Sequence, residues 1–138
     1  MPASDPPALA AVLSTGEPER LYSGLSVLVS TAAEGERCAA LASFGALDLL
    51  LDPDLLRRVQ EPEATPSLSW AGRETFARSL VELIDTAVEL DSLTIHACAA
   101  SVETMAVDPT DIEAARLDGV KSTPRFLRDT AGARLIFV

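Results

Sequence analysis

Short apolar runs alternate with segments of helical spacing along this chain. Residues 8–15 (ALAAVLST) form an apolar run closed by Gly16, Glu17 and Pro18, with the length and flanks of a buried strand. Leu21, Leu25, Leu28 and Ala32 then recur at helical intervals, which predicts a helix over 18–34. Pro18 suits its first turn and Gly35 its end. Residues 37–44 (RCAALASF) read as a second strand, and 46–51 and 53–59 as short helices separated by Asp52 and Pro53. The strongest helical signal covers 74–90, with Phe76, Leu80, Leu83, Ile84 and Ala87 on one face. Residues 93–97 (LTIHA) form a third strand after Asp91 and Ser92.

Helices are then expected over 99–105 and from Asp111 to Ala115, and another follows Ser122, which is an N-cap placed two residues before Pro124. Residues 133–138 (ARLIFV) close as a strand, and a further strand is expected around 117–120. Strands alternating with helices predict an α/β fold: three layers, with a mostly parallel sheet of about five strands and helices on both faces. Residues 1–138 read as one domain, with 1–7 a disordered tail and 60–73 a long loop or excursion. That excursion holds Pro62, Pro66, Gly72 and the only tryptophan, Trp70. Loops of this length often act as lids or binding segments; alternatively, Trp70 anchors the loop to the core or to a neighbouring subunit.

The charge narrows the range of partners. Eleven basic against 21 acidic residues leave a net charge of −10. Phosphate backbones and anionic membrane surfaces both require clustered Lys and Arg, so neither nucleic acid nor a membrane is an expected partner. The N-terminal segment has neither the basic start nor the apolar run of a signal peptide. Two cysteines and one histidine provide no disulfide framework and too few ligands for a zinc site. The expectation is a cytoplasmic protein that needs no metal or other cofactor.

In an open parallel sheet, ligands bind beyond the carboxyl ends of the strands. That singles out residues 15–18, 43–46 and 97–101. At the first, Glu17 and Glu19 oppose a phosphate. At the second, Ser43, Phe44 and Gly45 can floor a pocket. The third holds Cys98, where a strand gives way to a helix. The positive end of a helix lowers a thiol's pKa and favours the reactive thiolate. Any reactive thiol in this chain is therefore Cys98, although free cysteine also commonly serves as a small core hydrophobe.

The surrounding charge opposes reactivity. Between Ser79 and Ala115 stand eight acids and no Lys or Arg, which raises a thiol's pKa unless another segment offsets them. His96 lies on the same strand face, with its Cα roughly 7 Å from that of Cys98, a spacing that favours a structural histidine over a Cys–His dyad. Cys38 begins its strand while Cys98 ends its own, too far apart for a disulfide. Cys38 reads as structural. A thiol peroxidase is disfavoured because no resolving partner is within reach.

Several segments resemble DsrE/DsrF-like proteins. Residues 12–25 (VLSTGEPERLYSGL) look like the first strand and helix of that family, and 44–51 (FGALDLLL) like the segment after its second strand. Residues 95–105 (IHACAASVETM) place Cys98 where the family's cysteine ends a strand and opens a helix. Phe126, Leu127 and residues 135–138 fit its closing helix and strand. The resemblance runs from about residue 8 to 138. It implies a cytoplasmic homo-oligomer, trimer or hexamer, that carries sulfur as a Cys98 persulfide between donor and acceptor proteins, as a sulfurtransferase or sulfur carrier. The alternative is a non-catalytic assembly or regulatory subunit of the same fold. Ala106 stands where relatives commonly have glycine.

Overall fold

A computed structural model describes residues 5–138. Five strands, β1 (Leu9–Leu13), β2 (Cys38–Ala42), β3 (Leu93–Cys98), β4 (Val120–Lys121) and β5 (Arg134–Phe137), form one sheet in the order β4-β3-β2-β1-β5. Every pairing is parallel. The helices are α1 (Pro18–Ala33), α2 (Phe44–Leu51), α3 (Leu55–Arg58), α4 (Trp70–Glu89), α5 (Ala99–Thr104), α6 (Pro109–Ala114) and α7 (Thr123–Asp129). The expected three-layer α/β architecture is present. No helix among the described residues is long and apolar enough to cross a membrane.

The register sorts side chains onto two unequal faces. Leu9, Cys38 and Leu93 align, so Leu9, Ala11, Leu13, Cys38, Ala40, Leu93, Ile95 and Ala97 share one face. That face packs on α1 and α4 through Leu21, Leu25, Leu28, Ala77 and Leu80, and it forms the main core. The other face carries Ala10, Val12, Leu41, His96 and Cys98. Among the described residues only α7 covers it, through Phe126, because the connection from edge strand β4 to edge strand β5 must pass back across the sheet. The chain thus reverses its direction of travel beside β1, the arrangement that opens a crevice at the carboxyl edge of α/β sheets.

Two segment boundaries differ from expectation. The excursion ends at Ser69, and Trp70 to Arg73 form the first turn of α4. Ser69 is the N-cap, its hydroxyl accepting from the Gly72 N–H at 3.2 Å, so a glycine that reads as a loop residue serves the cap instead. Trp70 is 79% exposed and does not anchor the loop to this chain's core. At the other end, residues 1–4 of the expected tail lie outside the described residues. Asp5 to Pro7 pack on the body: Pro7 is buried, and the Asp5 carbonyl accepts from Arg37.

Helix α5 stops in a backbone geometry that ordinarily calls for glycine. Val107 N–H bonds the Val102 carbonyl at 3.0 Å and Ala106 N–H the Glu103 carbonyl at 3.2 Å, the pairing of a Schellman stop. Ala106 therefore sits at φ 51°. Left-handed backbone costs an alanine about 1–2 kcal/mol, part of which the greater unfolded-state freedom of glycine offsets. Ala106→Gly is expected to stabilise the protein by about 0.5–1 kcal/mol in urea unfolding. A lower midpoint would contradict the strain.

Candidate functional site

The three strand-end junctions meet at the carboxyl edge of the sheet, where the second touches both the first, through Gly45 and Gly16, and the third. Cys98 is the last residue of β3 and the N-cap of α5. Ser101, three residues on, is fully buried, and its Oγ accepts from the Phe44 N–H at 3.0 Å. That contact joins the start of α2 to the start of α5. Phe44 itself adopts φ 40° and leaves its ring half-exposed at the edge. A left-handed phenylalanine is a strained conformer held by its surroundings. The Ser43 to Gly45 junction therefore braces the cysteine loop rather than flooring a pocket.

With the Ser101 oxygen accepting from Phe44, its one proton is available to the Cys98 sulfur. On the other side, Thr123 Oγ1 lies 3.8 Å from Cys98 Sγ, brought there by the first residue of α7. Burial pushes the thiol's pKa up. Hydrogen bonding to the thiolate from the Ser101 N–H and hydroxyl, the Thr123 hydroxyl and the Ala100 N–H outweighs it and holds the pKa below that of a free cysteine.

The acidic stretch around Cys98 does not produce the expected rise. The hydrogen bonds to the sulfur set the direction, and some of the acids pair with cations from later in the chain. Arg116 pairs with Asp85 and Glu89 of α4, each at 3.1 Å. Lys121 is the register partner of Cys98 on β4 and pairs with Asp129 at 3.0 Å. His96 faces the same side as Cys98. Burial, and then the Lys121 charge, push its pKa down, so it is neutral at pH 7. It forms no hydrogen bond with the sulfur and remains a structural histidine.

Cys38 lies on the opposite face, at the far end of the sheet. It aligns with Leu93, the first residue of β3, while Cys98 is the last. Five strand residues put them roughly 16 Å apart along the sheet. Burial and the Glu36 charge push the Cys38 pKa up, as befits a core thiol. Trp70 sits at the start of α4, in the layer that covers the face away from the Cys98 sulfur. It does not shield that thiol within one chain.

At the first junction, the 60–69 segment closes over the start of α1. Ser67 donates to Glu19 at 3.0 Å, and Arg73 Nε donates to the Thr65 carbonyl at 3.3 Å. Glu17, Glu19 and Glu63 line the resulting cleft with a single cation, Arg58, and oppose a phosphate there. Among the described residues, no group of three or more His, Cys, Asp or Glu is placed to hold a metal.

Sequence reasoning located Cys98 and marked the 43–46 and 97–101 junctions, but it missed that Ser101 and Thr123 contact the sulfur and that Phe44 braces the loop. Ser101 had a local signal, because the third residue of a helix presents its N–H and side chain to the cap. Thr123 had none, since it arrives from a junction 25 residues later. No protein-family model matches this chain, and no curated protein matches it.

Proposed function

We propose that this protein is a sulfur carrier in which Cys98 holds sulfur as a persulfide between a donor and an acceptor protein. The observation that carries the reading is the set of four donors stabilising a Cys98 thiolate, two from the backbone and two from hydroxyls. The thiolate attacks the outer sulfur of a donor persulfide, R–S–SH. A Cys98 S–S bond forms, the donor's S–S bond breaks, and the donor leaves as R–S⁻, which takes up a proton. Attack by an acceptor thiolate on the outer sulfur of Cys98 reverses these roles. The segments that resemble DsrE/DsrF-like proteins agree with this assignment, which calls for a cytoplasmic location, where thiols stay reduced. Homo-oligomerisation, as a trimer or hexamer, accords with an apolar strip on the thinly covered sheet face. Phe137 is 72% exposed there, beside Leu135, which is 40% exposed.

One observation favours the second reading, a non-catalytic assembly or regulatory subunit. Cys98 is only 4% exposed and packs with Ala10, Leu41 and Phe126. Transfer therefore requires the start of α7 to yield when a partner docks.

The test is to incubate the folded protein with a small persulfide donor and weigh it. The expected adduct is about 32 Da on the parent protein and none on Cys98→Ser. The pH midpoint of Cys98 alkylation is expected below the free-thiol value of about 8.5. Ser101→Ala removes a donor and moves that midpoint upward. A native protein that takes neither sulfur nor alkylating reagent is the assembly subunit.

A further inference from the structure

A second cleft lies on the other side of the molecule from the Cys98 sulfur, between the α2–α3 turn, α4 and α6. It encloses about 280 Å³. Its walls are aliphatic: Leu50, Leu55, Val81, Ile84 and Val88. Ligand sites pair such walls with a few fixed polar groups that set orientation. Here those groups are Asp52, Asp85, Asp111 and Arg116 at the mouth.

The charges there are organised and unbalanced. Arg116 bridges Asp85 and Glu89, and Arg58 bridges Asp48 and Asp52. Among the described residues no cation pairs with Asp111. Of the residues that line the cleft, three are carboxylates, Asp52, Asp85 and Asp111, and one is a guanidinium, Arg116, an excess of two negative charges around an apolar floor. The arginine is held in place at a cost in backbone strain. Arg116 occupies the left-handed position after α6, at φ 61°, with Leu117 N–H bonded to the Ile112 carbonyl, where glycine is usual. That conformation turns its guanidinium back onto α4 and completes the mouth.

We propose that this cleft binds a small organic amine, with its apolar body among the leucines of α2–α3 and the valines of α4 and its ammonium at the carboxylate rim. Charge selects the cation: an anionic ligand would meet the same excess of carboxylates. Size selects a small molecule, because the volume accommodates one ring or a short aliphatic chain and not a helix. No step of the sulfur chemistry proposed above uses this cleft, and the two readings stand or fall separately.

The experiment compares three probes of one shape, 2-phenylethylammonium, 2-phenylethanol and 3-phenylpropionate, by amide chemical shifts of the native protein at low salt. The ammonium is expected to move the amides of α4 and α6 and to bind about fivefold or more tightly than the alcohol. The carboxylate is expected to leave them unmoved. Asp111→Asn, at an exposed position, should weaken the ammonium about threefold and leave the alcohol unchanged. Ala114→Trp, also at an exposed position on the wall, should block both while thermal unfolding stays as in the parent. Equal binding of all three probes, shifts confined to residues outside α4 and α6, or no shift with any probe overturns the proposal.

Discussion

Phe126→Ala is expected to destabilise the protein by about 3–5 kcal/mol, the cost of emptying a fully packed aromatic site. Phe126 is 1% exposed and is the one fully buried side chain of α7. Among the described residues the face beneath it has no other helix, and its buried core consists of Ala10, Leu41 and Cys98 with Val12, Ala39 and Ala133 packed beside them. The small residues of that patch cannot collapse into the space a phenyl ring leaves. A domain of this size has roughly 5–15 kcal/mol to lose, so urea unfolding should show the change plainly. A second effect should accompany it. Thr123 is on the same short helix, so a loosened α7 uncovers the Cys98 sulfur, and alkylation of the native protein should become faster. Leu127→Ala, next in the chain but 44% exposed, should change stability by about 0.5 kcal/mol or less. Equal losses at both positions would mean that α7 is not pinned by Phe126.

Gly45→Ala is expected to be nearly as damaging, at about 3 kcal/mol, for the opposite reason. A Cβ at Gly45 would stand 2.6 Å from both the Cα and the N of Gly16, and 3.1 Å from the Thr15 carbonyl carbon. These are backbone atoms of the β1–α1 connection, and they have no rotamer by which to move aside. The α2 start and the α1 start would have to separate. That displacement would pull Phe44 away from Ser101 and so weaken the support of the thiolate. Gly16→Ala makes the comparison sharp, because its Cβ would meet only the Gly45 Cα, at an ordinary 3.6 Å. It should unfold within about 0.5–1 kcal/mol of the parent. If the two substitutions behave alike, the close approach is not what requires glycine at position 45.

These two expectations involve residues that look unremarkable in the chain. Phe126 is one of four phenylalanines and Gly45 one of seven glycines. The hydrophobic pattern marked Phe126 only as part of a short terminal helix. It could not show that this helix alone covers a sheet face, because strand order, not local spacing, sends the β4–β5 connection to that side. Gly45 read as part of a pocket floor. Its real constraint comes from Gly16, which belongs to a neighbouring strand's exit.

The extent of the long loop shows the same limit on a smaller scale. Pro66 and Gly72 argue for irregular backbone through residue 73. Ser69 decides otherwise, because its hydroxyl caps the helix and leaves Gly72 inside the first turn. The penalty for a helical glycine is about 1 kcal/mol, and twenty residues of α4 packed against α1 override it. The acidic stretch around Cys98 was likewise read from sequence neighbours. The hydroxyls that act on the sulfur come from Ser101 and from Thr123, the latter 25 residues away.

The sequence by itself determined the alternation of strands and helices, the class of sheet and the position of Cys98 at a strand's end. Those follow from periodicity and from local stops and caps, which involve residues within one or two helical turns of one another. Only the tertiary structure decided which face the thiol occupies, that Ser101 and Thr123 converge on it, and that Phe44 braces the loop. It also decided that Arg116 reaches a cleft through carboxylates 27 and 31 residues before it in the chain. Each of these depends on strand order and register, and those are set by the burial of the whole sheet rather than by any segment of it.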